Sequence, residues 1–158
     1  MNQGKYQDPD VIRRVLAYTR VAVVGLSGNE LRASNFVGRY LQIRGYDVVP
    51  VNPRETSILG VTSYPSLSDI PGGVDTVDVF RKPDAVPAIA EEAVAIGAKC
   101  LWLQFGVISQ DAADIATAGG LDVVMDKCMK VEHGRFLGRM HWLGFNTERI
   151  TAHRENPG

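Results

Sequence analysis

Cysteine is scarce in this chain: there are two, Cys100 and Cys128, in apolar or strand-like surroundings and with no C-x-x-C spacing. A reduced intracellular protein is the simplest reading, and a single bridge between the two stays open. No apolar run approaches the roughly 18 residues that suggest a membrane-spanning helix. The stretch Met1 to Asp10 is polar and has no apolar core of a secretory signal, so a cytoplasmic protein is expected, with no membrane partner. An excess of charge of either sign is also missing. Seventeen Lys and Arg stand against 18 Asp and Glu, for a net charge of -1, which leaves no electrostatic footprint for nucleic acid. Repeats and low-complexity tracts are absent.

What is present is an ordinary globular composition, 45% apolar and 22% charged over 158 residues. That length suits one domain, expected over residues 1–150 with a loose tail at 151–158. Asp8-Pro9 marks a first helix carrying Val11, Ile12, Val15 and Leu16. The pattern then alternates. A strand over Arg20–Leu26 precedes a helix that Ser34 is expected to cap and Gly45 to stop. A second strand covers Asp47–Val51, and a turn-rich segment runs to Gly73, with a short strand near 58–62 and one helical turn near 67–70. A third strand, Val74–Phe80, alternates so that one face is expected to be less buried. Pro83 opens a helix that ends at Gly97. A fourth strand spans Lys99–Gln104, Ser109 caps a helix that ends at Gly119-Gly120, and a fifth strand spans Leu121–Met125. Strands separated by helix-sized segments predict an α/β fold, a doubly wound Rossmann-like parallel sheet of about five strands in three layers.

In such a sheet the ligand sits beyond the carboxyl ends of the strands. Here those ends are Gly25-Leu26-Ser27-Gly28, Asn52-Pro53-Arg54, Arg81-Lys82-Pro83, Gln104-Phe105-Gly106 and Asp126-Lys127-Cys128. Each of the five carries glycine, proline or a basic group, which marks one rim as a site. Val21 to Gly28 reads as a buried strand, a glycine turn and a helix start, aiming backbone N–H groups at an anion. It is neither G-x-G-x-x-G, because the third glycine is missing, nor a P-loop, because no Gly-Lys-Ser/Thr follows. Arg32 and Ser34 would add a cation and a hydroxyl near the following helix start; otherwise Ser34 only caps and Arg32 is solvated. The second strand ends in Asn52-Pro53-Arg54, where an NAD site wants a carboxylate. Arg54 suits a phosphate instead, as a planar bidentate donor, and Pro50 and Pro53 stiffen the turn.

Other constellations carry less. Cys128, Glu132, His133 and His141 match no compact zinc spacing, so no metal is expected. Asp126 lacks a His–nucleophile partner, and no G-x-S-x-G occurs, so no catalytic residue is assigned. Lys130 to Phe145 is basic and aromatic together. Folding over the ligand or across a partner subunit, and plain packing at the sheet edge, are equally open to it.

Several runs together carry a family resemblance: Val21 to Ser27, Pro50 to Pro53, Tyr64 to Pro71, Val77 to Arg81, Gly97 to Lys99 with Trp102 to Gln104, and Val123 to Cys128. Over about Val15 to His133 the chain resembles the small stand-alone CoA-binding proteins, which are similar in fold to the CoA-binding domain of the succinyl-CoA synthetase alpha subunit. The resemblance implies CoA at the strand carboxyl ends. Ser27, Gly28, Asn29 and Glu30 would approach its phosphates, and Asn52, Pro53 and Arg54 would flank the adenosine. Phe80, Arg81, Lys82, Leu103, Gln104, Phe105 and Gly106 would line the nucleotide and pantetheine arm. Two departures matter. Arg54 beside Glu55 stands near where the synthetase has a lysine, and the phosphohistidine domain needed for ligase chemistry does not fit in this length. The expected function is binding of CoA or an acyl-CoA without catalysis, with a homo-oligomer possible. Cys128 would stand either near the CoA thiol or as a plain buried cysteine. The alternatives are an NADP-dependent oxidoreductase, with Arg54 on the 2′-phosphate, and a regulatory interaction module with a vestigial pocket.

Overall fold

The computed structural model describes residues 3–138. His141, the rest of the basic-aromatic segment beyond residue 138 and the expected tail lie outside them. Among the described residues, β1 (Arg20–Val24), β2 (Asp47–Val51), β5 (Thr76–Val79), β6 (Cys100–Leu103) and β7 (Asp122–Met125) form one parallel sheet, in the order β2-β1-β5-β6-β7. Between β2 and β5 a small antiparallel pair, β3 (Ser57–Ile58) and β4 (Val61–Thr62), closes through Leu59 and Gly60, both at positive φ. A single short strand was expected there. The helices are α1 (Pro9–Val15), α2 (Ala33–Ile43), α3 (Val86–Ala95), α4 (Gln110–Ala118) and α5 (Met129–His133). None of the described helices is long and apolar enough to cross a membrane.

Alternation along the strands sorts the core into two layers. Ala22, Val24, Val77, Val79, Leu101 and Leu103 pack on one face with the alanine-rich sides of α3 and α4. Val21, Val23, Trp102 and Val124 pack on the other with Ile12 and Val15 of α1 and Val37 and Leu41 of α2. Strand order reverses between β1 and β5, which places the crevice of a doubly wound sheet at the carboxyl ends of those two strands.

Three local expectations need correction. Ser34 does not cap α2. Arg32 holds the cap position with no side-chain bond to the helix, and the Ser34 hydroxyl accepts from the Ser27 N–H at 3.0 Å instead. The third strand has no less-buried face, because Thr76 and Asp78 are both 0% exposed in the middle of the sheet, covered by α1 and α2. Pro83 opens only a 3-10 turn, Pro83–Ala85, before α3. Asp8 and Ser109 do cap α1 and α4 as their sequence signals predict.

Candidate functional site

The rim is built around one close approach. Gly25 follows β1 with φ +90°, and a Cβ there would lie 2.6 Å from the Phe80 carbonyl oxygen at the end of β5. Only glycine lets these two strand ends come together at the point where strand order reverses. The loop beyond Gly25 is braced by its own side chains. Ser34 Oγ accepts from the Ser27 N–H, Ser27 Oγ from Asn29 N–H at 3.0 Å, and Asn29 Oδ1 from Leu31 N–H at 2.9 Å. Asn52 ties the neighbouring loop to it. Its amide donates to Leu26 O at 3.0 Å while its Oδ1 accepts from Arg54 N–H at 2.8 Å, an Asx turn that fixes where Arg54 leaves the chain.

These loops surround a cavity of about 540 Å³ at the open N-terminus of α2. Gly25, Ser27 and Ser34 form its floor with Ala33, and Phe80 stands at one side. Arg32, Arg54, Arg81 and Lys82 complete the wall, and no carboxylate lines it. None of the four cations makes an ion pair among the described residues. Cations elsewhere do pair: Arg14 with Asp122 at 2.8 Å, Arg20 with Asp47 at 3.0 Å, Lys99 with Asp75 at 3.4 Å. Four unpaired cations facing an uncapped helix start form a field suited to phosphate. A smaller hollow of about 260 Å³ adjoins it at Val51, Asn52, Pro53 and Arg54.

On the far side of Phe80 lies a second cavity of about 540 Å³, with a different character. Its walls include Val37, Phe105, Val131 and Cys128, with Gln104 and Glu132 as buried polar groups. Gln104 Oε1 accepts from the Met129 N–H at 3.0 Å and so seats α5. Asp126 accepts from the Gly106 N–H at 2.7 Å, which makes it a brace between two rim loops. Both cysteines are free thiols: Cys100 is buried in the sheet, where burial pushes its pKa well up, and Cys128 is half-buried at the cavity wall. Among the described residues no group of three His, Cys, Asp or Glu is placed to hold a metal. His133 is buried instead, its Nδ1 2.8 Å from the Tyr40 hydroxyl, and Glu132 lies 3.6 Å from Arg135.

Ten of the residues singled out from sequence thus meet at the cationic cavity and its adjoining hollow: Gly25, Ser27, Arg32, Ser34, Asn52, Pro53, Arg54, Phe80, Arg81 and Lys82. Gln104 and Phe105 join Phe80 at the second cavity. Gly28, Asn29 and Gly106 are exposed on the loops and line none of these spaces, and Leu103 is fully buried in the core. A full lining role for the run Leu103 to Gly106 is corrected accordingly: within a strand alternate side chains point to opposite faces, and Leu103 faces α3 and α4. Ala33, Val37, Val131 and Arg135 were missed. The i, i+4 spacing of Ala33 and Val37 put them on one helix face and was the available signal.

Known proteins share this fold. The family model for the CoA binding domain matches residues 19–134. The chain is 37% identical over 132 residues to YneT of Bacillus subtilis (strain 168), an uncharacterized protein, covering 84% of this chain and 96% of that one. It is 27% identical over 119 residues to the ADP-forming acetate–CoA ligase I of Archaeoglobus fulgidus, covering 69% of this chain but 17% of the ligase. Among solved structures, a hypothetical protein from Pyrococcus horikoshii OT3 superposes with a TM-score of 0.80 at 40% identity, over 82% of this chain and 92% of the other. With the family model matched over residues 19–134 and relatives of 37–40% identity spanning most of both chains, the chain belongs to the CoA binding domain family.

Proposed function

We propose that the protein binds CoA or an acyl-CoA along the carboxyl ends of its strands and catalyses no reaction of its own. The observation that carries this is the polarity of the rim. Arg32, Arg54, Arg81 and Lys82 stand unpaired around one cavity, and an apolar cavity with Phe105, Val131 and Cys128 opens beside it. CoA is built the same way, with a nucleotide and its phosphates at one end and a weakly polar arm ending in a thiol at the other. From β2 to β7 the rim spans four inter-strand steps, about 19 Å at the usual spacing. In this reading the phosphates lie against the α2 N-terminus and the four cations, the adenosine lies in the hollow at Asn52 and Pro53, and the pantetheine arm crosses Phe80.

The absence of a reaction rests on the groups present. His133 is held by Tyr40 away from both cavities, Asp126 is engaged by Gly106, and no described serine or cysteine hydroxyl or thiol is bonded to an imidazole. Nucleophilic catalysis needs such a pair within hydrogen-bond reach. The matched stretch is 17% of the ligase, so the likeness supports a shared binding domain and not the ligase reaction.

Titration calorimetry with CoA and with NAD tests the binding. CoA is expected to bind and NAD to bind much more weakly, because the second strand ends in Asn52-Pro53-Arg54 and not in an acid. Equal affinity for both, or none for CoA, overturns the reading. Turnover of CoA, ATP and acetate or succinate above a heat-killed control overturns the second half.

A further inference from the structure

One contact at the rim places a carboxylate on a loop amide. The Gly28 N–H donates to Glu55 Oε2 at 3.0 Å, across 27 residues of chain, and the Glu55 carboxylate sits where a Gly28 side chain would be. The three other loop amides bonded to side chains, at Ser27, Asn29 and Leu31, are satisfied by the loop itself or by the first turn of α2, within seven residues. Those bonds are internal to the loop and to the helix it leads into. Glu55 is different: it belongs to the segment after β2, is only half-buried, and follows directly on Arg54, which lines the cationic cavity. A carboxylate on a backbone N–H is the same interaction a phosphate oxygen makes there.

We infer that Glu55 is an internal competitor for the glycine-loop amide and sets how strongly the site discriminates by ligand charge. Resting on the CoA reading above, the inference is that a nucleotide phosphate reaching beyond the cationic cavity, which Gly28 does not line, takes the Gly28 N–H and displaces the Glu55 carboxylate. Displacement forfeits one charge-assisted hydrogen bond and leaves a like charge near the phosphate, so the site binds its anion less tightly than its four cations allow. Ligands lacking the phosphates leave Glu55 in place and are unaffected by it.

The test compares wild type with Glu55→Ala and Glu55→Gln, titrating each with CoA and with pantetheine. CoA is expected to bind about three- to tenfold more tightly to Glu55→Ala, with Glu55→Gln between that and wild type, because a neutral amide oxygen still accepts but more weakly. Pantetheine affinity should not change. If Glu55 were a strut that holds the two loops together, Glu55→Ala would bind CoA more weakly and Glu55→Gln would match wild type; that result, or no change in either variant, overturns the inference. The Gly28 amide shift in ¹⁵N-labelled protein gives a second readout. Free wild type and free Glu55→Ala should differ there, and their CoA complexes should converge once the carboxylate has left. A persistent difference in the complexes overturns the displacement. Absence of CoA binding to wild type and both variants overturns the CoA reading and this inference together, whereas binding with the wrong order of affinities overturns this inference alone.

Discussion

Arg54 and Asp78 show how one side chain's surroundings decide its role. Arg54 is exposed at the rim, its backbone fixed by the Asn52 Asx turn and its guanidinium unpaired. If it contacts the 3′-phosphate of CoA, Arg54→Ala is expected to lose a bidentate charge-assisted pair, roughly 1.5–3 kcal/mol or about 10- to 150-fold in affinity. Calorimetry should show that loss shrinking with dephospho-CoA; equal losses for both ligands would assign the phosphate to Arg32, Arg81 or Lys82. Asp78 is the opposite case. It lies between Val23 and Trp102 in the central strand, 0% exposed, with no hydrogen-bond partner for either oxygen, and burial holds its pKa well above the usual carboxylate range. The folded protein therefore keeps the Asp78 proton that the unfolded chain releases above about pH 4. Stability is expected to fall as pH rises through that window, by at most about 1.4 kcal/mol per pH unit, until the folded group itself ionises. Asp78→Asn, neutral at every pH and nearly the same size, should remove this slope in denaturant midpoints measured between pH 4.5 and 7.5. His133 contributes with the opposite sign. Burial and the nearby Arg44 lower its pKa, so below the ordinary value of 6.5 the unfolded chain takes up a proton that the folded protein does not, and stability falls as pH falls.

The two serines near helix starts show the same division among elements. Ser109 Oγ accepts from the Ala112 N–H at 3.1 Å and caps α4, a helix whose Ala112, Ala113 and Ala116 are fully buried against the sheet. Ser109→Ala is expected to cost about 1 kcal/mol of stability with CoA affinity unchanged. Ser34 lies inside the first turn of α2 and spends its hydroxyl on the Ser27 N–H, which leaves the α2 start open to the cationic cavity. Ser34→Ala should therefore act mainly on binding, by loosening the glycine loop. Paired urea melts and CoA titrations separate the two, and a Ser34→Ala protein with full affinity would remove the loop brace from the site's design. Gly25 joins these elements: the β1 and β5 ends meet only because no Cβ intervenes between Gly25 and the Phe80 carbonyl.

For the whole molecule, binding must appear as stability. A ligand at 100 times its Kd adds about 2.7 kcal/mol to the folded state. In a chain of this length that corresponds to a rise in Tm of about 5–10 °C. CoA is expected to produce such a rise and NAD at the same concentration is not. The effect should weaken as salt increases, since the four cations are at the surface and screened. A salt-independent shift would move the recognition away from the phosphates and onto the apolar cavity at Phe105 and Val131.

The amino-acid sequence by itself determined the alternation of strands and helices, the rim on which the site sits and most of the cationic residues gathered there. These signals are local: a buried strand reads as a β-branched run, a strand end as glycine, proline or arginine, and a helix start as Asp8-Pro9 or Ser109. The tertiary structure alone decided where each side chain's bonds go. Ser34 has the spacing of a cap but meets Ser27, Asp78 alternates like a half-exposed strand residue but lies beneath α1 and α2, and Leu103 sits among rim residues but turns into the core. Glu55 looked like a bystander to Arg54 until the fold brought it onto Gly28. Each of these outcomes depends on a partner 7 to 27 residues away or on a covering layer from another part of the chain. Such long-range geometry is set by how the elements pack and leaves no mark in local periodicity.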